Sequence, residues 1–472
     1  NTLTHTRAPL SVWSTVHKRG AMGAGGKGVA TSDEAHSRPL VRVGRAADGT
    51  RIKETLRSFP KELDSGEPLL VGIRGRWYDV RNFVSRHPGG DVILEFVGRD
   101  ATAQFVAYHS EKVLKGWKPV GVYDFDESKP GGDAFEGEFL ALAAQYEKEG
   151  LFETQYAFLL SRLGIAFGML ALALGCVWLI VARDSLLAFV VGPFGLAGFW
   201  QQSGFLMHDL MHNHHFHKRR LDQRLGWFFG SVCFGVSSTW WRDEHNEHHL
   251  FTNTVIPGVG RSDPQMGETI WAQDPMLFDF FWRPLLRVLL RVQHIYFLPV
   301  LIFIGPFGIK VDAVLSESRP SEFVGMALHW AWVSALVSAF PTWRLGLLFY
   351  ACASVLVGVL SVQLLVSHYA KPFATKDAVK TTGSWARRQI NSVIDITCEP
   401  WLDWFHGGLN LHSPHHLFPR MCRCHYRRVH AELLDVCAKH GITLDVLPWS
   451  RAVAKTVTHL RDLDHFASMD PR

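Results

Sequence analysis

Two apolar runs set back to back constrain this chain more than any other feature. Ala157 to Ala182 carries one charge, Arg162, near its start, and only Arg183-Asp184-Ser185 separates it from Leu186 to Met207. A hydrocarbon core about 30 Å thick takes about 20 helical residues to cross. A lone segment inside it can satisfy all of its backbone polar groups only as a helix. The pair therefore reads as a membrane-spanning helical hairpin. An apolar fraction of 47% over 472 residues agrees, being high for a soluble chain of that length.

Histidines collect where these runs end. His208 and His212 sit at i and i+4 just after the second run, His245, His248 and His249 follow an H-x-x-H-H spacing, and His412, His415 and His416 repeat it far downstream. Positions i, i+3 and i+4 share one helix face, so each cluster can aim its rings at one point. One cluster could be a polar face turned to solvent; eight histidines in three clusters are a metal ligand set. His214, His215 and His217 crowd the first cluster and are expected behind the ligands or in solvent, while Asp209 and Glu247 are placed to orient ring N–H groups.

The topology must bring these clusters to one side. Gln293 to Ile309, Phe323 to Phe340 and Leu345 to Val366 are apolar runs between the second and third clusters, and three crossings would strand the third cluster opposite the others. Gln293 to Ile309 is the shortest, is broken by Pro299 and Gly305-Pro306, and follows Arg283, Arg287 and Arg291. It is expected to lie in the membrane plane or to re-enter, as is Leu225 to Trp241. The other two then form a second spanning hairpin, turned by Pro341-Thr342-Trp343-Arg344. The expectation for residues 157–445 is an all-α integral membrane domain of about four transmembrane helices plus interfacial helices. Lys218, Arg219 and Arg220 put the clusters on the cytosolic face, with Arg420, Arg423, Arg427 and Arg428 a second basic stretch and residues 446–472 a C-terminal tail.

The net charge of +5 is modest and its basic residues are spread among the apolar segments, which argues against a nucleic-acid partner. The seven cysteines form no regular framework, as expected of buried thiols in a reducing compartment, and Cys422-Arg423-Cys424 is read as incidental. There is no internal repeat of the solenoid kind.

Ahead of the membrane domain the character changes twice. Residues 1–52 are rich in Gly, Ala, Ser and basic residues without periodicity, and are expected as a disordered tail; with no acid before Asp33, a transit peptide is the other reading. Residues 53–125 read as a small α+β module. Leu69 to Ile73 turns at Arg74-Gly75 into Trp77 to Val80, a β-hairpin, followed by His87-Pro88-Gly89-Gly90 and, after Gly98-Arg99-Asp100-Ala101-Thr102, by His109 in a helical context. Two histidines facing across an apolar slot suit haem iron, and bis-imidazole ligation leaves no position for O2, so such a haem carries electrons. Residues 126–156 are a linker, with a charged amphipathic approach helix from Glu136 to Glu149.

Imidazole suits Fe, Cu, Zn and Ni, but eight histidines exceed the ligands of one tetrahedral zinc, so two metals are implied. The neighbouring haem favours iron, because a one-electron donor serves a redox-active pair and not zinc hydrolysis. Two non-haem irons fed with electrons point to O2-dependent attack on an unactivated C–H bond and, after a second hydrogen is taken, to an alkene.

With these residues in view, the N-terminal module resembles cytochrome b5, through His87-Pro88-Gly89-Gly90, the G-x-D-A-T stretch and His109. The module followed by three histidine boxes resembles the membrane front-end fatty acyl desaturases, with some plant and fungal sphingolipid desaturases close by, over residues 60 to 445. The matching stretches include Trp200-Gln201-Gln202-Ser203-Gly204, Thr239-Trp240-Trp241, Ser262-Asp263-Pro264 and Trp404 to Asn410 running into His415 to Arg420. The resemblance implies a multi-domain chain, with a cytochrome b5-like domain holding haem b between His87 and His109 and then a di-iron desaturase domain. It adds His368, in Ser367-His368-Tyr369, as a further metal ligand. It also implies a membrane lipid or acyl-CoA substrate, O2, a cytochrome b5 reductase as electron source, and an endoplasmic reticulum protein with both termini cytosolic, a plastid membrane being the other location. One position departs from the pattern: front-end enzymes usually carry glutamine where this chain has His412, which puts the subtype in question and not the metal site. A sphingoid-base desaturase or fatty acyl hydroxylase would use the same ligands and differ in product. In a non-enzymatic membrane haem electron carrier, the other reading, the box histidines would bind zinc or nothing.

Overall fold

The computed structural model describes residues 40–45, 51–56, 68–256, 261–266, 270–280, 288–375 and 384–463. Residues 1–39 of the expected tail lie outside them. Within that expected tail, β1 (Leu40–Arg45) forms a strand that pairs antiparallel with β2 (Arg51–Leu56). Val41 and Val43 alternate there with Arg42 and Gly44, the two-residue period of a strand.

The expected hairpin is present as β3 (Leu70–Ile73) and β4 (Arg76–Asp79), paired from Leu70 opposite Asp79 to Ile73 opposite Arg76. Its two-residue turn has positive φ at both positions, 46° at Arg74 and 75° at Gly75, which matches the twist of the strands. β5 (Gly121–Val122) adds to β4, and α1 (Thr102–Tyr108) closes the module. Asp100 holds the start of α1, its Oδ1 accepting from the Thr102 amide at 2.9 Å and from the Tyr123 hydroxyl at 2.8 Å. A small core of Leu69, Val71, Ile73, Tyr78, Val84 and Phe105 supports it.

The approach helix is α2 (Ala134–Lys148), started by the Asp133 carboxylate accepting from the Phe135 amide at 3.0 Å. It does not merely approach: Phe139 packs on Trp385 and Phe418, and Tyr146 packs on Phe418 with ring centroids 5.3 Å apart. Asp133 also takes both arms of Arg387, at 2.7 and 2.8 Å.

α3 (Tyr156–Arg183) and α4 (Leu186–Met211) form the first long hairpin, turned through Asp184 at φ 50° and capped by Ser185, whose hydroxyl accepts from the Ala188 amide. Gly195 lets the two backbones touch; a Cβ there would lie 2.9 Å from Ala173 N. After the first histidines come α5 (Arg219–Trp227), a π-helical segment over Phe228–Phe234, and α6 (Ser238–Leu250). The run expected to lie flat or re-enter is α7 (Gln293–Phe303) and α8 (Gly305–Ser316), bent by 75° at Ile304, just ahead of Gly305-Pro306, the shape of a broken span or re-entrant loop. α9 (Pro320–Ser338) and α10 (Trp343–Tyr369) make the second long hairpin.

Among the described residues two helices, α3 and α10, are long and apolar enough to cross a membrane, or three spans if the bent pair is one. α4 and α9, read from the sequence as return crossings, fall short of that composition because they carry inward-facing polar residues. Gln201 and Gln202 on α4 and Glu322 and His329 on α9 are buried in the bundle. Leu160, Phe167, Leu172, Trp178, Leu186 and Val190 lie exposed along the first hairpin, the outward apolar face of a membrane protein.

The strand β6 (Thr254–Ile256) pairs antiparallel with β7 (Arg261–Ser262) and parallel with β8 (Ala374–Thr375), tying the loop after the second box to the end of α10. α11 (Trp385–Asn391), β9 (Ile394–Thr397), α12 (His412–Leu417) and α13 (Tyr426–Lys439) follow. The stretch from 446, expected as a tail, is folded as far as it is described: β10 (Asp445–Pro448) pairs parallel with β9, and α14 (Trp449–Asp462) buries Ala452, Thr456 and Leu460 at a four-residue spacing. Its apolar stripe is diluted by Arg451, Lys455 and His459, which hide the amphipathic period behind a polar composition.

Candidate metal centre and haem slot

Each histidine box is aimed by local structure. His208 rides the last turn of α4 and His212 caps it. On α6, started by Ser237 accepting from the Trp240 amide at 3.1 Å, His245, His248 and His249 are buried on one face. The third box is held by Asp395 of β9, whose carboxylate accepts from the amides of His412 and Ser413 and from the Ser413 hydroxyl. His368 projects from the last turn of α10.

These elements bring all nine imidazoles together. One ring nitrogen from each of His208, His212, His245 and His415 lies within 4.8 Å of the others, and the same holds for His248, His368 and His416. His412 extends the second group through His368, their Nε2 atoms 2.8 Å apart. His249 stands between the groups: its Nε2 is 3.0 Å from that of His245, and its ring stacks on His416 at 4.2 Å.

The donor set fits metal. On six of the nine rings Nδ1 faces an acceptor: Asp263 for His248 at 2.7 Å, Gln265 for His245 at 2.6 Å, Gln389 for His416 at 2.7 Å, the Ser392 carbonyl for His368 at 2.9 Å, the Leu409 carbonyl for His412 at 3.2 Å and Asp209 for His208 at 3.2 Å. With Nδ1 donating, Nε2 keeps its lone pair and points inward. Nε2 of His212 and of His416 are buried without a hydrogen-bond partner. Burial, helped by neighbouring imidazoles, pushes His245, His249, His415 and His416 well below the ordinary histidine range and His412 down to about 3, so the rings stay neutral.

Asp209 faces His208 as the sequence led one to expect, and its other oxygen lies 2.9 Å from Arg423 Nε. His214 and His215 are buried behind the cluster, not solvated, with the Arg423 amide donating to His214 Nε2 at 3.1 Å. The acceptors facing the second box are Asp263 and Gln265, from a loop whose Ser262-Asp263-Pro264 was noted only as a matching stretch. Gln389, Ser392 and Asp395 were missed; the one signal was a carboxylate alternating into the apolar strand Ile394-Asp395-Ile396.

A second site faces this one. His87 and His109 confront each other with ring centroids 6.2 Å apart across a cavity of about 390 Å³. The His87 Nδ1 donates to the Gly90 carbonyl at 2.9 Å, turning Nε2 into the slot. Gly89 must lack a side chain, since a Cβ would come 2.9 Å from that ring. Burial lowers the pKa of His87 and takes His109 down to about 3, leaving both able to bind a metal. Val92, Phe96 and Phe105 make the slot apolar on the module side, while Met211, Arg242, Leu250 and Arg420 of the membrane domain close the other. An apolar slot with an imidazole on either wall and guanidinium groups at its edge fits a haem with its acidic side chains.

A model of the fatty acid desaturase family matches residues 184–448, more than half of the chain. The chain belongs to that family. A model of the cytochrome b5-like haem/steroid binding domain matches residues 55–146. As a fatty acid desaturase family member with a fused cytochrome b5-like domain, the chain is similar to the Delta(8)-fatty-acid desaturase 1 of Arabidopsis thaliana, 29% identical, covering 88% of this chain and 94% of that protein. It is also similar to the acyl-lipid (9-3)-desaturase of Borago officinalis, 27% identical over 85% of this chain and 91% of the other. The Delta(6)-fatty-acid desaturase fat-3 of Caenorhabditis elegans is 25% identical, with 84% and 96% covered.

Proposed function

We propose that this protein is a membrane-bound front-end fatty acyl desaturase that places a double bond in a long, already unsaturated acyl chain. The single observation that carries the reading is the meeting of nine buried imidazoles from four elements, beside an apolar cavity and across from a bis-histidine slot. His208, His212, His245 and His415 would hold one iron and His248, His368, His412 and His416 the other, with His249 completing the set between them. When bound there, the two irons supply O2-dependent dehydrogenation: the CH2–CH2 unit, O2, two electrons and two protons give CH=CH and two waters.

The protein's own groups set the stage for that reaction. A narrow apolar cavity of about 40 Å³, walled by Phe205, Trp241, Ile309, Leu360 and Leu364, reaches His208, where it would seat the reacting CH2–CH2 unit and exclude water. Asp263, Gln265, Gln389 and Asp209 hold their rings in the ligating tautomer. The electrons would come from a cytochrome b5 reductase by way of the module. The basic residues around Lys218 and Arg420 support a cytosolic face for the boxes, both termini cytosolic, and four crossings with α4 and α9 as return spans; endoplasmic reticulum is the location we assign. Similarity to Delta(8), Delta(6) and acyl-lipid desaturases supports a fatty acyl substrate over a sphingoid base.

The test is to express the chain in a host without polyunsaturated lipids, feed defined acyl chains, and locate any new double bond by mass spectrometry. A new double bond on the carboxyl side of an existing one is expected. Hydroxylated product alone, or no product from fatty and sphingoid substrates alike, overturns the assignment.

A further inference from the structure

Where the module meets the membrane domain, a side chain of the module touches both sites. Tyr108 is the residue before His109, and it lines the cavity that His87 and His109 share. Its ring also stands edge-on to His249, centroids 6.5 Å apart at 86°. His249 in turn lies 4.5 Å from His415 and 4.2 Å from His416 by ring centroids. The Tyr108 hydroxyl is buried without a hydrogen-bond partner. The interface thus uses the ring of this residue and leaves its polar end unused, at the cost of a buried, unsatisfied hydroxyl.

The contact is held from both sides. Arg420, four residues past His416, donates through Nε to the Ala107 carbonyl and through Nη2 to the Val106 carbonyl, each at 3.2 Å. It thereby fixes the end of α1 that carries Tyr108 and His109 to the segment that carries the third box. Beside it Phe96 stacks on Phe251 at 6.0 Å and 15°, so the second box helix is gripped as well. A flexible tether would need no such clamp on a turn that bears a haem ligand.

We infer that Tyr108 is the electron conduit of this protein: its ring couples the His109 side of the haem slot to His249 and so to the metal centre. The inference rests on the desaturase reading above and deepens it. With haem and iron bound, each passage would turn one ferrous haem ferric and one ferric ion of the centre ferrous. Tyr108 is neither oxidised nor deprotonated; its ring supplies the contact to His249, and His212 on the facing wall of the same cavity is the competing route. Two passages match the two electrons of one dehydrogenation.

The experiment follows the haem, not the product. Full-length protein loaded with haem and iron is reduced, mixed with oxygenated buffer and acyl substrate, and haem reoxidation is timed by its absorbance. Tyr108→Leu is expected to keep the haem spectrum and the iron content while slowing haem reoxidation well below the wild-type rate. Tyr108→Phe, which keeps the ring, is expected to match the wild type, and a small-molecule mediator to restore desaturation in Tyr108→Leu. Should Tyr108→Leu fail to fold, Tyr108→Met, long but ringless, is timed in its place. Undiminished reoxidation in the ringless variant would put the transfer across the His212 wall of the same cavity and overturn the proposal alone. A wild-type haem that substrate and O2 do not reoxidise would overturn the fused-donor reading and this proposal with it.

Discussion

The haem slot takes both of its histidines, His87 and His109, from one small module, whereas the metal centre draws nine from α4, α6, α10 and α12 and the turns beside them. The two histidines of the first need only a hairpin, a glycine turn and one short helix to be placed, although Met211, Arg242, Leu250 and Arg420 close the far side of their slot. The second exists only when the whole bundle has closed. Their chemistry divides the same way. Two imidazoles on opposite sides of a haem fill its axial positions and leave a carrier of electrons. The neutral rings of the second would hold two metals that supply O2 chemistry to a substrate in the cavity at His208.

If the two sites are that independent, single substitutions should separate them. His415→Ala is expected to strip iron and take desaturation to background, a larger loss than the ~10- to 100-fold that an outer partner costs, with the haem spectrum intact. His87→Ala should do the reverse, losing the haem absorbance and turnover while elemental analysis still finds two irons per chain. Loss of both cofactors from either variant would mean that the sites are built together.

The next largest effect falls on a residue that serves the distant site only. Asp395 anchors the start of α12 with three hydrogen bonds. Asp395→Ala leaves two buried amides without an acceptor, a loss of about 3 kcal/mol. In detergent the thermal midpoint of the membrane domain should fall, iron content with it, while the temperature of haem release stays put.

Sequence reading fared differently on the two sites for the same reason. The hairpin expected at 69–80 and the spans expected at 157–182 and 186–207 lie within a few residues of β3, β4, α3 and α4, because alternation, turn residues and long apolar runs are local signals. The nine histidines that meet in the structure were singled out from spacing and resemblance. Their acceptors mostly were not: Gln389 and Ser392 act on rings 27 and 24 residues away in the chain, across elements that no periodicity pairs. The parallel β9–β10 pairing and the docking of α14 were missed for a related reason. A short strand completed by a distant one, and a helix whose stripe is crossed by Arg451 and Lys455, carry no signature of their own. Tyr108 was invisible because a tyrosine inside a module reads as core until the partner surface is known.

Outer acceptors give a finer cut. Asp263 accepts from His248 Nδ1 at 2.7 Å and from the Asn253 amide at 2.9 Å. Asp263→Asn keeps the shape and removes the charge that favours the ligating tautomer, so activity and iron affinity should fall by ~10- to 100-fold, while haem reduction by external donor is unchanged. An equal fall in haem affinity would contradict the separation.

The smallest expected effect lies at the seam between the regions, on α2. Burial pushes the Glu136 carboxyl up to about 7 from an ordinary 4.5, against the Ala386 amide that donates to it at 3.0 Å. Three residues earlier, the Arg387 guanidinium holds Asp133 below its ordinary 3.8. The signs are opposite. A raised carboxyl favours the packed state when protonated, so the Glu136 contribution is whole below pH 4.5 and is lost as pH rises through about 7. The Asp133 contribution is present above 3.8 and is lost only as pH falls below that. Between pH 5 and 8 the seam should therefore loosen by on the order of 1 kcal/mol, and Glu136→Gln should flatten that slope while Asp133→Asn should not. Thermal melts of the two variants at pH 5, 6.5 and 8 read this directly. Because α2 packs not only on Trp385 and Phe418 but also on Ala103 and Ala107 of α1, and its Glu147 accepts from the slot-lining Ser110 hydroxyl, haem release measured in the same series should follow the Glu136 slope; a haem midpoint that stays level would show the slot standing free of the seam.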